Sequence, residues 1–224
     1  DYDYNCVNGS VPTNIKSFNN SSWQEIVETV KAGNANIYNV GDTKEVDLGD
    51  IGTHTLRISN KSTPDECATD GFSQSACGFV LEFADVISSQ AMNSSDSNVG
   101  GWPKSTMYTY LNTTIYNALP AELRNGIIDT KTVSGYGSGD TAVITSTDKI
   151  YPLATAEIWN QGTSNTIGRD NARNKTRQLD YYKEKNSNTN NYSSAIKKLN
   201  ATAAKWWLRS SASSSNSSYY YIST

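Results

Sequence analysis

The sequence predicts a mixed α+β fold in which two helices pack on small mixed or antiparallel sheets, with long ordered loops between them. Three observations carry this. Two stretches have helical apolar spacing with start signals, others have strand patterning, and the elements alternate without the regular βαβ rhythm of a parallel sheet. Only 36% of the 224 residues are hydrophobic, but 5 Trp, 14 Tyr and 4 Phe supply bulky groups to bury. A chain of this length can build a core, because the buried fraction rises with size.

Residues 1–20 are polar and aperiodic and read as an irregular lead-in or stalk, so the domain is expected to span residues 21–224. The first helix follows at once. Ser22 and Glu25 form a capping box, Trp23, Ile26, Val27 and Val30 share one face, and Gly33 ends it. KEVDLGDIGTHTLRIS reads as a hairpin, with Val46 and Leu48 answered by Leu56 and Ile58 across a Gly-rich turn. CGFVLEFADVIS is long enough for a central strand. In WPKSTMYTYLNTTIYNAL, Pro103 suits a first turn, and Met107, Leu111 and Leu119 recur along one side of a second helix. Pro120 opens a short helical turn. Residues 127–150 read as strand, loop and strand, and DKIYPLATAEIW as a strand leading into a short helix. Residues 160–200 are mostly polar, a long connection that must order by packing on itself or serve a function.

The formal net charge of −3 argues against nucleic acid as a partner. Between Arg169 and Arg209, however, the basic residues Arg173, Lys175, Arg177, Lys183, Lys185, Lys197, Lys198 and Lys205 outnumber the acids, and are expected to form a solvated face. No apolar run reaches membrane-spanning length. About ten N-x-S/T sequons occur, among them Asn8, Asn60, Asn112 and Asn200. Of the three cysteines, Cys67 and Cys77 flank a short polar loop and are expected to be bonded, whereas Cys6 is left free or pairs outside the chain. That usage points to an oxidising, extracellular or cell-surface location.

The chemistry of catalysis is thinly represented. The single His54 lies in a hairpin strand without a nucleophile motif beside it, and reads as structural. GYGSGD lacks the Lys-Ser/Thr ending of a phosphate loop and reads as a hairpin loop. Asp65 with Glu66, and Glu82 with Asp85, are acid pairs expected at the surface; Glu82 and Asp85 fall at opposite parity in their strand. No cysteine–histidine cluster or calcium-loop spacing is present, so neither a metal nor another cofactor is expected. The expectation is a protein that is not an enzyme.

The end of the chain, KWWLRSSASSSNSSYYYIST, is more informative. In a strand, Trp206 and Leu208 share one face, and Trp207 and Arg209 the other. Trp206, Trp207 and Arg209 are therefore expected in a core strand covered on both sides, Arg209 having a carboxylate or carbonyl partner. SASSSNSS reads either as an exposed binding loop or as a solvated linker. Asn216, Ser217, Tyr219, Tyr220 and Tyr221 are the candidate contacts, since Tyr gives large contact area at low entropy cost and Ser and Asn adaptable hydrogen bonds. Parity places Tyr219 and Tyr221 on one face and Tyr220 on the other.

The boxes SWQEIVETVKAG, YNVGDTKEVDLG, CGFVLEFADVI, NVGGWPKS, YLNTTIYNALP, DKIYPLATAEIW, RQLDYY and WWLRS span residues 22–210. In combination they resemble a family of secreted bacterial proteins grouped as a domain of unknown function. The resemblance implies a C-type-lectin-like fold, shared with formylglycine-generating enzymes and with variable proteins diversified by retroelements. It further implies that WWLRS lies in the terminal sheet and that the loop and strand after it display ligand-contacting residues. The lectin signatures EPN, QPD and WND are absent, so a calcium-dependent sugar site is not implied. Nor is copper chemistry, because Cys67 and Cys77 lie in the first half. Members of the family continue past WWLRS to a final strand that this sequence is expected to lack.

The resulting expectation is a secreted or cell-surface binding module that presents its Tyr/Ser/Asn-rich end to a protein or glycan ligand. The alternative is a structural subunit of an extracellular filament or pilus that self-associates by strand or surface complementation. A degenerate enzyme is a third reading.

Overall fold

The computed structural model describes residues 16–160 and 167–224. Helix α1 (Trp23–Lys31) starts where the capping box requires: Ser22 Oγ accepts from Glu25 N at 3.1 Å and Ser22 N donates to Glu25 Oε2 at 2.7 Å. Strands β1 (Thr43–Asp47) and β2 (Thr53–Asn60) pair antiparallel, with β3 (Val80–Phe83) on the other side of β2. The register sets Lys44, not Val46, opposite Leu56, and Val46 opposite His54. Val46, Leu48 and Leu56 still meet in one core, while Ile58 packs with Phe18, Ile26 and Tyr38 in another. Phe18, from the lead-in stretch, is thus a core residue.

The second helix runs from α2 (Thr106–Tyr110) through a π-helical turn (Leu111–Ile115) into α3 (Tyr116–Ala118). Within that turn Asn112 clamps the chain beyond the next hairpin. Its Nδ2 donates to Ile150 O at 2.9 Å, and its Oδ1 accepts from Lys149 N and Ile150 N at 2.9 and 3.0 Å. A short α4 (Ala121–Arg124) follows, then the hairpin β4 (Thr130–Gly135) and β5 (Val143–Asp148), whose loop is GYGSGD. Helices α5 (Thr155–Ile158) and α6 (Asp180–Glu184), strands β6 (Lys197–Leu199) and β7 (Thr202–Ala204), and the hairpin β8 (Trp206–Ser211) and β9 (Tyr219–Ile222) complete the chain. The fold is mixed α+β, and every sheet among the described residues is small and antiparallel. None of the described helices is long and apolar enough to cross a membrane.

With so little apolar sequence, buried polar networks join the elements. Glu157 of α5 and Arg209 of β8 are both fully buried. Arg209 Nη1 donates to Glu157 Oε2 at 2.7 Å and to Pro152 O at 2.8 Å, while Nη2 bonds Glu157 Oε1. Ser75 Oγ and Thr176 Oγ1 donate to the same carboxylate, and Ala154 N donates to Glu157 Oε2 at 2.8 Å. Burial alone would raise the Glu157 pKa. The charge and hydrogen bonds of Arg209 outweigh that and hold it below its ordinary value.

A second network corrects the reading of Glu82 as a surface acid. Glu82 is buried between Arg57 (Nη2 to Oε1, 2.5 Å) and Lys197 (Nζ to Oε2, 3.2 Å), and accepts from Tyr182 Oη at 3.1 Å. Its pKa is also lowered: desolvation opposes the shift and the two cations, Lys197 first, decide it. Lys197, expected on a solvated basic face, is only 6% exposed, and burial pushes its pKa down against the pull of Glu82. Arg177 is withdrawn from that face too, held by Asn60 Oδ1, Ala76 O and Asp180.

Cys67 and Cys77 are bonded, ten positions apart, at the junction between the 65–77 loop and β3. Cys6 lies outside the described residues, as does Asn8. Asn60 is fully buried and Asn112 is committed to the clamp described above, whereas Asn200 is exposed.

These contacts make three stability predictions. Replacing both Cys67 and Cys77 with Ala should cost about 2–3 kcal/mol, since the bridge closes a short loop; denaturant titration of the two forms checks it, and equal midpoints would contradict it. Glu157→Gln leaves Arg209 buried without its counter-charge and should cost about 3–5 kcal/mol. Because Glu157 and Glu82 have folded pKa values below the ordinary 4.5, their contribution is fully present above that value and lost as pH falls through the lower folded ones. Melting temperature should therefore drop steeply below about pH 4, and a profile flat to about pH 3 would refute the assignment.

Candidate functional site

The Ser/Asn-rich stretch after β8 is not a free linker. Its backbone is tied into a cluster of four loops at one end of the molecule, and the tie is Asn98, which is fully buried. Asn98 Nδ2 donates to Ser215 O at 3.0 Å and to Ser218 O at 2.9 Å, and Asn98 N donates to Asn216 O at 2.8 Å. Its Oδ1 accepts from Ser138 N at 2.7 Å. Loops 94–101, 136–142 and 212–218 thereby share one side chain. The fourth loop joins through Ser213 N to Arg169 O at 2.9 Å and Asn171 Nδ2 to Asp140 O at 3.0 Å. Inside the terminal loop, Ser215 Oγ accepts from the amides of Ser217 and Ser218, both at 3.2 Å.

Two glycines make this approach possible. Gly101 (φ +61°) and Gly137 (φ +79°) lie in the left-handed region, and a Cβ on them would collide with Gly135 O and Asn98 O respectively. The cluster then exposes Asp96, Val99, Tyr136, Ser138, Ser214, Asn216 and Ser218 on an ordered backbone. Hydroxyls and amides with one tyrosine and one valine can make directional hydrogen bonds and a modest apolar contact.

The residues singled out in the sequence do not all reach this surface. Asn216 does, and Ser217 is half-buried beside it. Tyr219 is 7% exposed, packed with Met92, Trp102 and Met107, and burial pushes its phenol up to about 12, so it stays neutral. Tyr220 is half-buried against the core around Leu208 and Ile222. Tyr221 is exposed, at the far end of the hairpin, opposite Trp207.

Trp207 corrects the expectation of a core strand covered on both sides. It is 37% exposed, and its ring meets that of Tyr221 edge-on, the centroids 6.1 Å apart. Among the described residues the sheet holds β8 and β9 alone, and cover on both faces begins at Leu208, from which all residues to Ser211 are buried. Trp206 is half-buried; its Nε1 donates to Ala195 O at 2.9 Å and Lys197 Nζ lies over its ring. The same uneven cover, rather than parity, separates buried Tyr219 from exposed Tyr221.

Sequence reasoning missed Asn98, Tyr136 and Val99. The signal for Asn98 was its place two residues before Gly100-Gly101, where a tight loop needs a side-chain anchor. His54 is part-buried, its Nε2 3.2 Å from Ile51 O and its ring edge-on to Phe83. Among the described residues no three His, Cys, Asp or Glu side chains gather where they could hold a metal ion.

The contrast between the two indoles is testable. Trp206→Ala should cost about 3 kcal/mol, near the lower end for a buried aromatic, and Trp207→Ala about 1 kcal/mol. Chemical denaturation measures both, and an equal or reversed order would contradict the placement of Trp207.

No curated protein and no solved structure matches the chain. A family model does match, over residues 79–224, which hold β3, the Asn98 clamp, Glu157, Arg209 and the terminal hairpin. The chain belongs to the family described as domain of unknown function DUF6273.

Proposed function

We propose that this protein is a non-enzymatic binding module, secreted or displayed at the cell surface, that offers the four-loop cluster to a protein or glycan ligand. The observation that carries the reading is the Asn98 clamp. It holds a loop of Ser and Asn in one conformation against two others, so the ordering cost is met before a ligand arrives. Loops on a rigid scaffold are the usual place for recognition. The finer reading of the fold as C-type-lectin-like is supported by the order of elements at the end of the chain, where WWLRS forms β8 and the following loop and strand return beside it. The Cys67–Cys77 bond is consistent with an oxidising, extracellular location.

A second reading, a subunit of an extracellular filament, is favoured by the exposed Trp207–Tyr221 pair on a two-stranded sheet.

Glycan and surface-protein arrays probed with the full chain separate the two. The binding-module reading expects capture of a defined class that is lost in Asn216→Lys without a large change in melting temperature, and lost also in Gly137→Ala, whose Cβ displaces loop 136–142. Capture indifferent to both substitutions would contradict it. Fibres in electron micrographs of the full chain that disappear with Tyr221→Ala would instead support the filament.

A further inference from the structure

A separate concavity lies away from the four-loop cluster. It has a volume of about 650 Å³ and is walled by α1, β3 and the segment after it, α2, the 149–153 stretch and the start of β8. That volume falls within the ~300–1,000 Å³ of small-molecule sites, and the concave shape suits a small ligand better than a flat partner. The walls are apolar, with half-buried Val30, Leu81, Phe83, Ile87 and Leu111 among them. Exposed Ile128 (72%) and Trp207 stand at its lip.

Three hydrogen-bonding groups of the wall are already used within the protein. Tyr110 Oη donates to Ser88 Oγ at 3.0 Å, Tyr151 Oη to Ser75 O at 3.2 Å, and Trp206 Nε1 to Ala195 O at 2.9 Å. At these three groups a sugar or an extended peptide would lose water-facing hydrogen bonds without replacement. An alkyl chain loses none.

The charges around the groove choose the other end of the ligand. Lys149 is paired with Asp129, and Glu82 is held between Arg57 and Lys197. Asp85 accepts from Lys198 N at 2.8 Å. Lys31 and Lys205 line the groove and make no ion pair among the described residues, Lys205 resting over the Tyr221 ring at 5.3 Å. Among the described residues the groove is thus lined by two ammonium groups that make no ion pair, against one carboxylate, Asp85, that is bonded to backbone.

We propose that this groove binds a single-chain anionic amphiphile, its alkyl chain along the apolar wall and its carboxylate at one of the two unpaired lysines. This goes beyond recognition at the loop cluster and does not depend on it, since the groove and the loops share no residue used in either argument.

The test is titration of the full chain with oleate below its micelle-forming concentration, followed by tryptophan fluorescence, with oleyl alcohol as the uncharged probe. Saturable oleate binding is expected, with oleyl alcohol about tenfold weaker. Lys31→Glu with Lys205→Glu should weaken oleate by about tenfold and leave oleyl alcohol unchanged. Val86→Trp, which fills the groove, should abolish both. Absence of saturable binding, or equal binding of both probes that ignores the lysine reversals, would overturn the proposal. A dimer of the full chain dissociated by Val86→Trp would also overturn it, by assigning the groove to a second copy. Should Val86→Trp fail to fold, the double lysine variant decides alone.

Discussion

The Glu157–Arg209 pair is the interaction on which the rest of the structure depends. It joins α5 to β8 and, through Ser75 and Thr176, brings in the loop before β3 and the segment before α6. Four stretches far apart in sequence thus converge on one carboxylate. Isolated burial of either charge would cost several kcal/mol, so the site is tolerable only because every Glu157 oxygen is occupied. Such a pair adds little net stability over an apolar replacement. It does penalise any packing in which one partner arrives without the other, and we take that as the reason a chain with so little hydrophobic sequence settles on one arrangement.

The other networks repeat the logic at smaller scale. Asp170 is fully buried; burial raises its pKa, opposed by hydrogen bonds from Ser210, Thr155 and Ala172 N. Because Ser210 adjoins Arg209, this network continues the first along β8. Asp148 closes the β4–β5 hairpin, accepting from Trp102 Nε1 at 2.8 Å and from Thr132 and Ser146 hydroxyls. Trp102 follows Gly101, which meets the β4 end, and Asn98 lies just before. The line from buried carboxylates to the loop cluster is therefore short: the networks fix β4 and β8, and these two strands launch the loops that Asn98 clamps together.

Much of this was legible in the sequence where the signal was local. The α1 capping box, the β1–β2 hairpin and the Cys67–Cys77 bond depend on residues close together, and their chemistry names them. Glu82 was misread because parity within one strand says nothing about Arg57 and Lys197, which arrive from elsewhere in the chain. Trp207 was misread because the number of strands beside β8 is a tertiary property. The quoted family boxes make more sense with the structure in view. CGFVLEFADVI carries Glu82, DKIYPLATAEIW carries Asp148 and Glu157, RQLDYY carries Arg177 and Tyr182, and WWLRS carries Arg209. They encode the polar framework of the fold, and the binding reading rests instead on the loops between them.

Native-state hydrogen exchange of the full chain tests this account most directly. The amides of β8, Arg209 N among them (to Leu153 O, 3.0 Å), should exchange only through global unfolding, and those of Asn98 and Ser213 should be protected by their bonds across the loop cluster, as Ala212 N is by its bond to Ser218 O within the terminal loop. Protection in β8 together with protection in loop 212–218 is the predicted result. Exchange of Asn98, Ala212 and Ser213 at the rate of an unstructured chain, with β8 intact, would contradict the claim that the buried framework delivers an ordered recognition surface.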